Sequence, residues 1–247
     1  MKPANDDPPF YVGYHARAPR ELTRFMRRTV AALGGLALSV ALLAAWSLPV
    51  PGAGDFEFGR IRRISGTLAG DDSAPRLQSD GTEYLLVGRG KHQAPPEICG
   101  VRGSELALSG SLITREGRHL LEVSEWQTSR LPPDPPLATG VALGRVELMG
   151  EIVDSKCYFG VMNPGEGNLH RACAELCLRG GIPAVLVVRD RTGQIAHLLL
   201  TDPSGANVSP SLRAWTGAPV RITGQVIREG AWLALRPDIG SLRWHRR

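Results

Sequence analysis

The chain has 247 residues, with 29 Lys+Arg against 24 Asp+Glu, 43% hydrophobic residues, 6% aromatics, 29 Gly and 19 Pro. Such totals exclude a disordered polymer, a collagen-like repeat and a multi-span membrane protein, and they leave room for about two small domains. Residues 1–28 carry six basic groups and three acids and residues 29–50 none, so the rest of the chain is nearly neutral and no nucleic-acid partner is expected.

Residues 1–28 read as a short basic arm. Its PPFYVGY stretch at 8–14 has no periodicity. Residues 29–50 read as a transmembrane anchor: from Thr29 to Leu48 there are 20 positions without a charge, about 30 Å as a helix, which matches the hydrocarbon core of a bilayer. Arg24, Arg27 and Arg28 precede this run and Pro49, Pro51, Gly52 and Gly54 follow it. The positive-inside rule places the arm in the cytoplasm, and Trp46 suits the far interface. Everything beyond Pro51 is expected outside the cytoplasmic membrane, in a periplasmic or other extracytoplasmic space. A cleaved signal peptide competes, but the basic region is long and no clear AxA site follows.

Beyond the anchor the chain repeats itself. Gly59 to Leu68, GRIRRISGTL, parallels Gly144 to Val153, GRVELMGEIV. Residues 103–123 parallel 217–235, each with an alternating strand leading through Arg-Glu-Gly into a second one, the signature of a hairpin. In the second copy AVLVV at 184–188, a turn at Arg191-Thr192-Gly193 and HLLLTD at 197–202 supply the intervening strands, and 210–216 suits a helical turn. The expected fold is mainly β, with two tandem OB-like barrels after the anchor. A β-sandwich is the alternative. The first module spans 56–130, a Pro-rich linker 131–140, and the second module 141–245.

The second module interrupts its first two strands with residues 154–183, which hold three of the four cysteines. The order is Cys157, twelve residues, His170, two residues, Cys173, three residues, Cys177. Gly165, Gly167 and Asn168 read as a turn and cap, Leu169 to Arg179 as a helix, and Gly180-Gly181 before Pro183 as its stop. On that helix His170, Cys173 and Cys177 share a face. Three accounts follow: a disulfide from Cys157 to Cys173 or Cys177, a zinc or copper site on Cys157, His170, Cys173 and Cys177, or inert buried thiols. Asp154 and Met162 are expected to stand behind the ligands. His170 and Cys177 are two turns apart, about 10.5 Å along the axis, so one ion on all three helical donors would need a bent helix. A pair joined by Cys157 is easier. Cys99, alone in the first module, either meets the leftover thiol or is a small buried residue. Lys156, next to Cys157, either lowers the pKa of that thiol or is an ordinary solvated loop lysine.

The string CAELC with Met162 upstream resembles in part the dinuclear copper site of cytochrome oxidase subunit II, where CxxxC precedes a His and a Met. Leu178 to Ala184 supplies neither. The order DSKC, HRACAELC, GGIPAVLVV and VRITGQV resembles a group of small exported bacterial modules over residues 144–243, and the resemblance implies an OB-like fold with a shared role for Asp154, Cys157, His170, Cys173 and Cys177. The expected function is a membrane-anchored accessory or assembly subunit of an extracytoplasmic redox system, with a protein partner in a membrane complex. An electron-transfer or metal-delivery protein and a purely structural interaction module are the alternatives. No oxyanion feature is legible and CxxxC lacks redox CxxC spacing, so the sequence leans away from an enzyme.

Overall fold

A computed structural model describes residues 19–47, 54–99, 101, 103–130, 140–202, 204 and 206–245. The expected basic arm up to residue 18 and linker residues 131–139 lie outside them, as does the side chain of Cys99. The chain divides into two units at Val50.

In the first unit, helix α1 runs from Arg20 to Ser47 with no buried residue, and it is long and apolar enough to cross a membrane. It starts at Arg20 rather than Thr29. Hydropathy marks where a span can lie, not where the helix begins: residues 20–28 contain no Gly or Pro, Glu21 sits in the first turn where the helix dipole favours an acid, and Pro19 precedes it. The Pro19 carbonyl accepts the Thr23 backbone N–H at 2.9 Å and its hydroxyl at 3.1 Å.

The second unit contains two closed five-stranded barrels in tandem. A short edge strand β1 (Asp55–Phe56) precedes the first, which consists of β2 (Arg62–Ala69), β3 (Arg76–Ser79), β4 (Thr82–Val87), helix α2 (Pro96–Cys99), β5 (Glu105–Arg115) and β6 (Arg118–Arg130). β2 pairs antiparallel with β3 and β5, β3 with β4, β5 with β6, and the parallel pair β4·β6 closes the ring. The second barrel repeats the order with β7 (Val141–Asp154), helix α3 (Arg171–Arg179), β8 (Ala184–Arg189), β9 (Ile195–Leu200), helix α4 (Ser209–Leu212), β10 (Pro219–Glu229) and β11 (Trp232–Pro237), closed by the parallel pair β9·β11. Strand β12 (Arg243–Trp244) pairs with β10. This five-strand order, with a parallel closing pair and a helix before the fourth strand, is that of an OB-like barrel; ring closure excludes the sandwich.

Glycine explains how such short strands close. A Cβ at Gly66, Gly110, Gly150 or Gly224 would lie 2.2, 2.2, 2.5 or 2.4 Å from a carbonyl oxygen of a neighbouring strand. Gly66 and Gly150 occupy matching places in the repeated first strand, and Gly110 and Gly224 in the repeated hairpin. Alternation along β5 turns Leu106 and Leu108 into the barrel interior and Ile113 and Arg115, on the opposite face, toward the second barrel; at Gly110 the β5·β6 register shifts, with Ser124 the extra residue on β6. The two hairpins differ by one residue. Glu116 and Gly117, with φ of 51° and 73°, make the first turn, whereas Glu229 ends a strand and Gly230-Ala231 make the second.

The barrels share a core. Leu85, Val87, Ile113 and Leu120 of the first pack with Val153, Tyr158, Phe159, Val185, Val187, Leu199 and Trp232 of the second. Full burial of each large apolar side chain contributes about 2–3 kcal/mol. Arg115 donates to the Tyr158 carbonyl at 2.7 Å and lies over its ring, and Arg118 donates to the Ala231 carbonyl at 2.6 Å and covers Trp232. Buried Arg76 lies between Glu83 and Glu229, 3.0 Å from each.

Candidate metal centre

Strand β7 ends at Asp154, whose position is set by its own carboxylate. Oδ1 accepts the Cys157 backbone N–H at 2.9 Å and starts a turn, while the Ser155 N–H donates to the Pro183 carbonyl at 3.0 Å and ties the two ends of the insertion together. Residues Cys157–Val161 form one turn of π-helix, closed by the Met162 N–H on the Cys157 carbonyl at 3.1 Å. A Cβ at Gly165 would lie 2.7 Å from that same carbonyl, so only glycine lets the chain pass over it. The turn drives Tyr158 and Phe159 into the shared core and leaves Cys157 facing α3.

Helix α3 then presents Cys173 and Cys177 to Cys157. The Cys157 Sγ is 4.0 Å from Cys173 Sγ and 3.9 Å from Cys177 Sγ, and the three sulfurs lie within 4.8 Å of one another. A tetrahedral zinc site with Zn–S bonds of about 2.3 Å has S···S edges of about 3.8 Å, so the measured separations match thiolates around one ion. They do not match a disulfide, whose sulfurs stand about 2.05 Å apart. The expected staple from Cys157 to Cys173 or Cys177 is therefore not formed: all three are free, and Cys157 sits almost equally far from both helical partners.

His170 goes elsewhere. Helix α3 begins at Arg171 rather than Leu169, so His170 belongs to the preceding turn and its ring swings toward β7, with Nε2 2.9 Å from Asp154 Oδ2. Both groups are buried. Asp154, Cys157 and His170 form a second set of donor atoms within 4.8 Å, and Cys157 belongs to both sets. The expected single face of His170, Cys173 and Cys177 is thus divided: the cysteines converge and the imidazole pairs with Asp154. Met162 contributes its backbone N–H, and its side chain is 44% exposed.

Two residues of the site escape a reading of the sequence. Lys91, in the loop after β4 of the first barrel, places Nζ 2.8 Å from Cys173 Sγ and 3.7 Å from Cys177 Sγ. Lys156 is not a solvated loop lysine. Its side chain is 3% exposed, and its Nζ meets the Gly88 and Gly90 carbonyls at 2.8 Å each and Glu122 Oε2 at 2.6 Å. Lys156 thereby fastens the loop that carries Lys91. On its other side that loop is held by the Gln93 N–H on the Gly180 carbonyl at 2.9 Å, and a Cβ at Gly180 would lie 1.7 Å from the Lys91 carbonyl. Only the run GRGKH at 88–92 hints at this loop.

The charges suit a metal. The contact between Cys157 and Cys177 raises the pKa of Cys157 and lowers that of Cys177, while the hydrogen bond to Cys173 raises that of Lys91. Three thiolates and a divalent ion carry one net negative charge, which the Lys91 ammonium offsets at short range. Thiolates favour zinc and copper(I) over hard cations. The Cys157/Cys173/Cys177 and Asp154/Cys157/His170 groups could each hold a metal ion. Comparison with protein-family models, curated proteins and solved structures found no match to this chain.

Proposed function

We propose that this chain is a membrane-tethered protein that holds a thiophilic metal ion, zinc or copper(I), on Cys157, Cys173 and Cys177, and that it serves an extracytoplasmic redox complex as an accessory or assembly subunit. The convergence of three free thiols at 3.9 and 4.0 Å carries this reading. Asp154 orients the Cys157 turn and His170, and Lys91 balances the charge of the loaded site. Helix α1, with Arg24, Arg27 and Arg28 near its N-terminal end, supports a tether with the N-terminus in the cytoplasm and the barrels on the far side. The resemblance to small exported modules supports the same side of the membrane, and the protein partner is the complex to which the ion is presented.

Metal titration of the reduced full-length protein tests the site, with zinc and copper(I) in competition. One ion per chain is expected, and serine at Cys157, Cys173 or Cys177 should weaken binding at least about a hundredfold. Absence of stoichiometric binding, or binding unchanged in all three variants, refutes it.

A further inference from the structure

The three sulfurs are not equivalent. Cys157 and Cys177 are 4% and 1% exposed, whereas Cys173 is half-buried and carries the Lys91 ammonium at 2.8 Å. A small solute reaching the cluster therefore meets Cys173 first, and among clustered thiols the accessible one is oxidised first. Behind it, on a separate segment, Cys157 Sγ stands 4.0 Å away. Cys177 lies one turn along the same helix, where the regular backbone holds the two Cβ atoms apart. Cys157, on the π-helical turn, is the sulfur better able to close that gap.

We propose that in its metal-free form the cluster is oxidised by hydroperoxides, with Cys173 as the sulfur attacked and Cys157 as the sulfur that resolves it into a disulfide. The Cys173 sulfur attacks the terminal oxygen of ROOH. The O–O bond breaks, an S–O bond forms, and the thiol proton leaves with the other oxygen as ROH, giving Cys173 sulfenic acid. The Cys157 sulfur then displaces the hydroxyl: an S–S bond forms, the S–O bond breaks, and the Cys157 proton departs with the hydroxyl as water. Two thiols are oxidised and one peroxide is reduced. A protein disulfide is the poorer oxidant, because its sulfur would have to be brought in line beneath the Lys91 side chain. Oxidation removes two of the three sulfurs offered to a metal, so it would also empty the centre.

The inference concerns the same sulfurs as the metal reading without depending on it. The test treats reduced, metal-stripped full-length protein with one equivalent of hydrogen peroxide. Loss of two of the four thiols and a peptide linking Cys157 to Cys173 are expected. In Cys157→Ser a sulfenic-acid trap should label Cys173 rather than the buried Cys177. No thiol loss, or a trap on Cys177, would overturn the proposal. Metal binding is measured on the same reduced preparation. Binding without peroxide reactivity defeats only this inference, and peroxide reactivity without binding defeats only the metal reading.

Discussion

Replacing Lys156 by Met tests whether the first barrel belongs to the site. All three donors of this buried ammonium are used, on the Gly88 and Gly90 carbonyls and on Glu122. Methionine fills much of the same space but leaves the Glu122 carboxylate, 15% exposed, without its cation. Breaking a buried pair from one side costs about 3–5 kcal/mol. The partial exposure of Glu122 argues for the lower end, about 3 kcal/mol. At about 2–4 °C per kcal/mol for a folded unit of this size, the melting temperature should fall by roughly 6–12 °C. If the cost comes from the abandoned charge, the double variant Lys156→Met/Glu122→Gln must melt higher than the single one. Calorimetry on the four proteins of that cycle decides the matter. A single variant melting within about 2 °C of the parent, or a double variant less stable than the single, refutes the assignment of Lys156 as the pin of the Lys91 loop.

Gly180→Ala puts a methyl group 1.7 Å from the Lys91 carbonyl, backbone against backbone. The inter-barrel contact must open at a cost of about 2 kcal/mol or more, and urea melts that match the parent would contradict the close approach. His197 gives a pH signature. Burial, then Arg118, Arg115 and Arg189, push its pKa from 6.5 down to about 4, beside the Tyr158 hydroxyl and Glu116, each 3.3 Å away. The unfolded chain therefore binds a proton that the folded chain refuses between those two values. This contribution is intact above pH 6.5 and is lost as pH falls toward 4, by about 3 kcal/mol at most. Urea midpoints across that window should fall less steeply in His197→Gln, and parallel slopes would refute the shift.

The barrels and the cysteines were legible in the sequence for different reasons. Strand alternation and the four close-approach glycines recur in order in both copies, so the topology follows from local pattern. The hairpin Ser79-Asp80-Gly81-Thr82, with φ of 44° and 75° at its centre, carries a turn signal too, but the four and six residues of β3 and β4 alternate too weakly to mark strands. Cys157, Cys173 and Cys177 were recognisable because thiols at that spacing have little reason to cluster by packing alone. His170 stands at the N-cap of α3 rather than inside it, so its ring pairs with Asp154 while staying within 4.8 Å of Cys157 and apart from the helical pair Cys173 and Cys177. Lys91 and Lys156 could not be foreseen, since their partners lie 82 and 68 positions away along the chain and no periodicity reports a contact between barrels.

The duplication also accounts for where the site lies. In the first barrel the connection between the opening two strands is short, residues 70–75, whereas in the second it is the insertion of residues 155–183. A barrel this small is filled by its own side chains, here Leu186, Ile222 and Leu235 in one and Leu77, Leu106 and Leu121 in the other, so neither interior has space for a centre. The insertion needs an outer wall. The first barrel provides it twice over: an apolar face of Leu85, Val87 and Leu120 for Tyr158 and Phe159, and a polar rim of Gly88, Gly90, Lys91 and Glu122 for Lys156 and the thiols. Without the apolar face the aromatic turn that aims Cys157 would be stranded in water, and without the rim three sulfurs would gather with no cation to offset their charge. The thiol centre is therefore a property of the pair of barrels rather than of the one that carries its cysteines.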